Sequence, residues 1–345
     1  MGVRFGSMCQ SREVTGASNT PDFDVVVVGS ANLDLVASLE SLPKPGETLI
    51  AIGYAEHAGG KGLNQAVACA RMGARTAFVG CVGNDDAGAM LRAILEKEGI
   101  DTSHLLTVSA PTGRAFINVD KHGENAIVVI AGANAFVGTQ TQLQLPTSRV
   151  LLAQLEIPLE TVLSVFETAR RNGSVTVLNP APASRLQPEI LALTDIIVPN
   201  ETESEVLGGT SVLFGQGVAT VVTTQGAHGA TVETPSSTNH VEPFVVTPVD
   251  TVGAGDAFIG ALCSEIARGR AVLDAAKVAA VGGALATTVH GAAAVRAAPA
   301  LARHPPPAGR APHARLAGPC RQRRARPAVP ADGRRAAAGL GSNEC

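Results

Sequence analysis

Short runs of consecutive apolar residues alternate along this chain with longer stretches in which apolar residues recur every three or four positions. The runs at 25–28, 77–82, 150–154, 175–179, 196–198 and 220–223 are rich in valine and isoleucine. They have the length and character of strands covered on both faces. Stretches 63–72, 87–98, 159–172 and 257–267 carry the helical period instead. Strands and helices in this alternation predict an α/β domain with a central, mostly parallel sheet between helical layers. Three segments depart from it: 47–56, 113–120 and 125–130, the last two joined by the turn-forming Lys121, His122, Gly123 and Glu124. They predict a small separate β-sheet. No internal repeat is visible.

Composition narrows the class. The 345 residues are 45% hydrophobic, and none of the apolar runs reaches the roughly eighteen residues of a membrane span. Residues 1–21 lack the continuous apolar core of a signal peptide, and Gly6 stands where myristoylation wants Ser or Thr. They read as a flexible extension ahead of a domain at 22–295. The six cysteines, Cys9, Cys69, Cys81, Cys263, Cys320 and Cys345, form no CxxC pair, which points to a reducing cytoplasm rather than a disulfide framework. Aromatic residues make up only 3% and tryptophan is absent, so base-stacking platforms for single-stranded nucleic acid are not expected. Neither a nucleic acid nor a membrane is an expected partner.

Charge is unevenly spread. Residues 296–345 hold ten arginines, no lysine and two acidic residues, whereas the whole chain carries 27 basic and 30 acidic residues. The tail is therefore basic and the body acidic. Such a tail could serve as a nucleic-acid arm. Its abrupt Arg, Pro and Ala bias without a hydrophobic period looks instead like a GC-rich reading frame shifted near residue 292, and predicts disorder.

Two glycine-rich segments carry the candidate chemistry. In VDTVGAGDAF (249–258), a turn of Gly253, Ala254 and Gly255 meets the carboxylate of Asp256 ahead of an apolar helix. Unpaired N–H groups and the positive end of a helix dipole at such a place stabilise negative charge on a transferring phosphoryl group, and the carboxylate can take a proton. Asp256 alone could equally be an N-cap. In AGGKGLNQA (58–66), Gly59, Gly60 and Gly62 let the backbone approach a ligand, while Lys61 and Asn64 offer a cation and an amide. No GxxxxGK[ST] spacing exists in the chain, so this is not a Walker A loop.

Together, and in this order, the two segments resemble the ribokinase family of the ribokinase-like carbohydrate kinase superfamily. VVVVGSANLDL (25–35), LPKPGET (42–48), GANA (132–135), QLEIP (154–158), NPAPA (179–183) and PNETESE (199–205) extend the resemblance from about residue 24 to about 291. It implies a Rossmann-like three-layer sandwich with a small β-sheet lid, its strands within about 34–57 and 112–131, that closes over the sugar and makes a homodimer contact. It implies ATP-dependent phosphorylation of D-ribose at the primary 5-hydroxyl, with Asp256 as general base and Gly253, Ala254 and Gly255 as anion hole. Asn32, Asp34, Gly59, Gly60, Lys61, Asn64 and Glu156 correspond to sugar-binding residues. Asn200, Thr224, Gln225, Gly226, Ala227, His228, Gly229 and Gly255 fall on the nucleotide side, with Glu203 in the magnesium hydration shell. Asp250, Val252, Ala286 and Gly291 correspond to a potassium site. Structural roles stand beside these: Asn200 could cap a helix and Asp34 could occupy a turn. The GGKGxNQA wording favours ribose over 2-deoxyribose, fructose, ketodeoxygluconate or a nucleoside.

The chain departs from that pattern in places. Between Glu205 and Val221 a loop is expected where relatives carry a helix. Gln225 replaces an apolar residue, and Val295 stands where a serine oxygen would meet the cation. Potassium activation is expected to be weakened and the final helix to be missing. Two function classes follow, a ribose kinase and a non-catalytic sugar-binding protein, and Asp256 speaks for the first.

Overall fold

The computed structural model describes residues 20–139 and 143–289, all within the unit Met1–Arg303. The expectations for the leader, for Gly291 and Val295, for a missing final helix and for the tail 296–345 fall on residues outside these. The N-terminal half runs β1 (Phe23–Val28), β2 (Asn32–Ser38), β3 (Gly53–Gly59), α1 (Lys61–Arg71), β4 (Thr76–Gly83), α2 (Asp86–Lys97), β5 (Leu105–Val108), β6 (Gly113–Val119) and β7 (Asn125–Ile130). The central part follows as β8 (Ser148–Ala153), α3 (Leu159–Arg171), β9 (Val175–Leu178), α4 (Pro188–Ala192), β10 (Ile196–Ile197), α5 (Glu201–Val206) and α6 (Thr210–Gly215). The described chain closes with β11 (Thr220–Thr224), β12 (Ala230–Thr234), β13 (Ser237–Val241), α7 (Ala254–Ala267) and α8 (Val272–Ala286).

Nine strands form one sheet in the order β13-β12-β11-β10-β9-β8-β1-β4-β5. Pairing is parallel from β5 to β11 and antiparallel at β12 and β13. Burial explains the continuous apolar runs. On β1, Val25 and Val27 enter one core with Leu63, Val67 and Leu262, while Val26 and Val28 enter another with Val162, Phe166 and Ile190. Side chains of a strand alternate between faces, so a valine run fills both helical layers at once.

The second sheet has four strands, β3-β2-β6-β7. The chain breaks after β1 at Gly29–Ala31, and β2 leaves the large sheet to pair with β3 and β6. The strand expected at 47–56 begins only at Gly53 and runs to Gly59, because residues 44–47 close a turn (Glu47 N–H to Lys44 O, 2.9 Å) and Ile50 stays 93% exposed.

Two further corrections concern helices. The segment 206–220 is not loop alone, since α6 occupies Thr210–Gly215 and drives Leu213 into the core. Its six residues are too few to display a period. Helix α8 was not foreseen, because alanine and glycine lie on all its sides and give no apolar stripe, yet Ala275, Ala276 and Ala279 pack against α7 in the core.

Candidate active site

Helices α1 and α7 bring the two glycine-rich segments together. Gly253 takes φ 78 immediately before α7, a left-handed value that a Cβ would disfavour. The turn delivers Asp256 into the first helical turn, where the residue is only 9% exposed. Asn64 Nδ2 donates to Asp256 Oδ2 at 3.1 Å and Gln65 Nε2 to Oδ1 at 2.8 Å. The N–H groups of Gly253, Gly255 and Asp256 make no hydrogen bond within the described residues, whereas Ala254 N–H turns back to Thr251 O at 3.3 Å. Three donors thus remain at the positive end of α7.

The sugar-side candidates gather around this carboxylate. Lys61 N–H donates to Glu156 Oε2 at 3.1 Å, and Ser30 Oγ donates to the same oxygen at 2.5 Å. Asn32 is held by Asn134, whose Nδ2 donates to Asn32 Oδ1 at 2.7 Å while its Oδ1 accepts the Ala31 N–H at 3.0 Å. Gly59 matters through what it lacks: a Cβ there would lie 2.0 Å from Asp34 Oδ2. Asp34 therefore leans over residue 59 toward the centre of the site. Asn64 Oδ1 is buried without a partner. Its amide nitrogen must face the acceptor-only carboxylate, so an acceptor is left over for a ligand hydroxyl.

Electrostatics tie the cluster together. Burial pushes Asp34 up to about 7, with the charges of Glu156 and Asp256 adding to the effect. Asp256 is also raised, by burial first, against the opposing pull of Lys61, Gln65 and Asn64 and with Glu156 reinforcing it. Burial lowers Lys61, but Asp256, Glu156 and Glu203 outweigh it and the ammonium is held above its usual value. Glu203 is raised by burial, against the Asn200 N–H and Lys61. Three carboxylates, Asp256, Glu156 and Glu203, act on one ammonium, and Asp34 lies in the field of two of them. This surplus of hard oxygen donors fits a divalent cation that arrives with polyphosphate. No group of three His, Cys, Asp or Glu that could hold a metal by itself exists among the described residues.

A cavity of about 430 Å³ opens beside α7. Thr224, Gly226, Ala227, Gly229 and Gly255 line it, as do Ala254 and Phe258 of α7. Of the other expected nucleotide residues, Gln225 and His228 do not line it. Nor does Asn200: it caps α5 in a reciprocal box with Glu203 (Asn200 N–H to Glu203 Oε2, 2.8 Å; Glu203 N–H to Asn200 Oδ1, 2.7 Å). Phe244, Val245 and Val246 and, on α8, Ala280, Gly283 and Ala284 line the cavity as well; sequence reasoning missed them. Asp250 and Val252 lie on the loop before α7, tied to each other (Val252 N–H to Asp250 Oδ1, 2.9 Å). The N–H groups of Val249 and Asp250 bond Thr287 O at 2.7 and 3.0 Å, next to Ala286. Three of the four expected cation-loop residues are thereby neighbours, and Gly291 is not described.

Cavity and carboxylate cluster adjoin at the start of α7, where Gly255 lines the cavity and Asp256 follows it. Residues 22–299 match the sequence family described as pfkB family carbohydrate kinase. The chain is 41% identical over 285 residues to a ribokinase of Haemophilus influenzae, covering 78% of this chain and 93% of that protein. Among solved structures, a ribokinase of Thermotoga maritima is similar with TM-score 0.72 and 35% identity over 79% of this chain and 96% of the other. An Arabidopsis thaliana ribokinase complexed with ribose and ATP matches with TM-score 0.73 and 28% identity over 79% and 95%.

Proposed function

As the chain belongs to the pfkB family of carbohydrate kinases, we propose that it transfers the γ-phosphoryl group of ATP to the 5-hydroxyl of D-ribose, giving D-ribose 5-phosphate and ADP. The observation that carries this reading is the buried Asp256 carboxylate, fixed by Asn64 and Gln65 and next in sequence to Gly255, which lines the cavity. Similarity to proteins named ribokinase supports the choice of ribose.

In this reading Asp256 accepts the hydroxyl proton as the sugar oxygen bonds to the γ-phosphorus and the bond to the departing ADP breaks. The free N–H groups of Gly253, Gly255 and Asp256 stabilise the charge on the transferring group. Asn32, Asp34, Lys61, Asn64 and Glu156 hold the sugar hydroxyls, and Asn134 orients Asn32. The cavity takes the nucleotide, with Thr224, Gly226, Ala227 and Gly229 on one wall. Magnesium, when bound, neutralises phosphate charge; Glu203, oriented by Asn200, would hold its hydration shell. A potassium ion would sit in the loop of Asp250 and Val252 against Ala286. The exposed apolar side chains of β7 support a homodimer through the lid, and the free thiols of Cys69, Cys81 and Cys263 support a reducing cytoplasm.

The test is ADP release with magnesium and ATP across ribose, 2-deoxyribose, fructose, ketodeoxygluconate and nucleosides, with and without potassium. Turnover selective for ribose is expected. Selective turnover of another sugar, or ribose binding without turnover, overturns the assignment.

A further inference from the structure

The hydrogen bonds around Asp256 continue behind it, away from the cavity. Gln65 is fully buried, and Nε2 donates both to Asp256 Oδ1 at 2.8 Å and to Asn179 Oδ1 at 3.0 Å. Its Oε1 accepts from Gln154 Nε2 at 2.6 Å. Asn179 Nδ2 is committed in turn to Val198 O at 3.1 Å. Rotating the Gln65 amide by half a turn would set its oxygen against two acceptors and its NH₂ against the Gln154 NH₂, so one orientation alone pairs the Gln65 amide. Gln154 and Asn179 follow directly on β8 and β9. The amide is thus braced from the ends of two central strands.

We propose that Gln65 is the positioning residue of the phosphoryl-transfer site: it pins the inward oxygen of Asp256, Oδ1, and leaves Oδ2, on the side of Asn64, as the atom that takes the hydroxyl proton. The inference rests on Asp256 being the general base. Gln65 itself touches neither sugar nor nucleotide. Its donor also favours the ionised carboxylate, working with Lys61 and Asn64 against burial and Glu156; Asp34 and Glu203 are the other charged groups that feel Asp256.

The test compares ribose kinetics of the full chain with Gln65→Met and with the shape-conserving Gln65→Glu, over a range of pH. In Gln65→Met, kcat near neutral pH is expected to fall about 10- to 100-fold, the size of a lost hydrogen bond to a charged group. The ribose KM should stay within about twofold of wild type, since no ligand contact of a buried residue is removed. The acidic limb of the kcat profile should move to higher pH in Gln65→Met. It should move further in Gln65→Glu, where a second acid faces Asp256. If Gln65→Met does not fold, the Glu variant carries the test. A folded variant with wild-type kcat, or one that loses kcat without displacement of the limb, overturns the clamp. Failure of the underlying assignment looks different: Asp256→Asn would then turn over ribose at the wild-type rate.

Discussion

At the scale of single residues, burial sets the chemistry. Asp34 has a native pKa of about 7 against an ordinary 3.8. Between those values the folded chain keeps a proton that the unfolded chain releases, so the contribution is fully present below about pH 4 and is lost as pH rises to about 7. Urea unfolding of the ligand-free protein should show this loss, at most about 4 kcal/mol over the window, and Asp34→Asn should flatten it. A stability curve of unchanged slope in that variant would refute the shift. Asn64 differs from Gln65 in facing the site. Asn64→Leu removes both the donor to Asp256 and the unpartnered Oδ1, and is expected to raise the ribose KM about 10-fold or more with little change in the KM for ATP. Equal losses for both substrates would count against its place on the sugar side. Lys61, Asn64 and Asp256 were legible because a glycine-rich turn beside a cation, an amide or a carboxylate has few other uses. Gln65 and Asn134 lay unremarked inside AGGKGLNQA and GANA: their importance comes from partners 114 and 103 positions away, which a linear reading does not supply.

At the scale of elements, the site depends on how closely β2, β3 and α1 approach. Asn32 pairs with Gly59 across β2 and β3, and the bare Gly59 leaves room for Asp34. Gly59→Ala is expected to displace that carboxylate and raise the ribose KM by up to about 100-fold, as roughly 1 Å misplacements do, while the melting temperature changes little because the site is at the rim of the core. An unchanged KM in a folded Gly59→Ala would show that Asp34 does not serve the sugar. The parallel strands were legible in their valine runs. Helix α8 was not, because a helix whose contacts are made by alanine and glycine carries no stripe to read. The same closeness that hides it lets Gly283 and Ala284 reach the cavity. The cavity wall at Phe244–Val246 belongs to a segment without regular structure, where hydrophobic period offers no signal.

At the scale of the whole molecule, the small sheet projects apolar side chains on both faces. Ile127 is 53% and Val128 63% exposed, and consecutive strand residues point to opposite sides. Light scattering is expected to give twice the chain mass, and Ile127→Glu with Val128→Glu to give a monomer; a monomeric parent chain would remove the dimer from the proposal. The parallel centre of the large sheet, β1, β4 and β8 to β11, was recognisable from sequence because those strands are mostly apolar, whereas β5 and the polar edge strands β12 and β13 gave no such run. The small one was recognised only in outline, since β2 follows β1 after only three residues and changes sheet at Gly29–Ala31.

All three scales converge on Asp256, whose carboxylate joins sugar side to nucleotide side. The direct measurement is ribose turnover and calorimetric ribose binding in Asp256→Asn beside wild type. Loss of a general base predicts a kcat lower by about 100- to 10,000-fold, with ribose affinity nearly unchanged. Turnover at the wild-type rate in a variant that still binds ribose would contradict the role assigned to Asp256 and, with it, the proposed route of phosphoryl transfer.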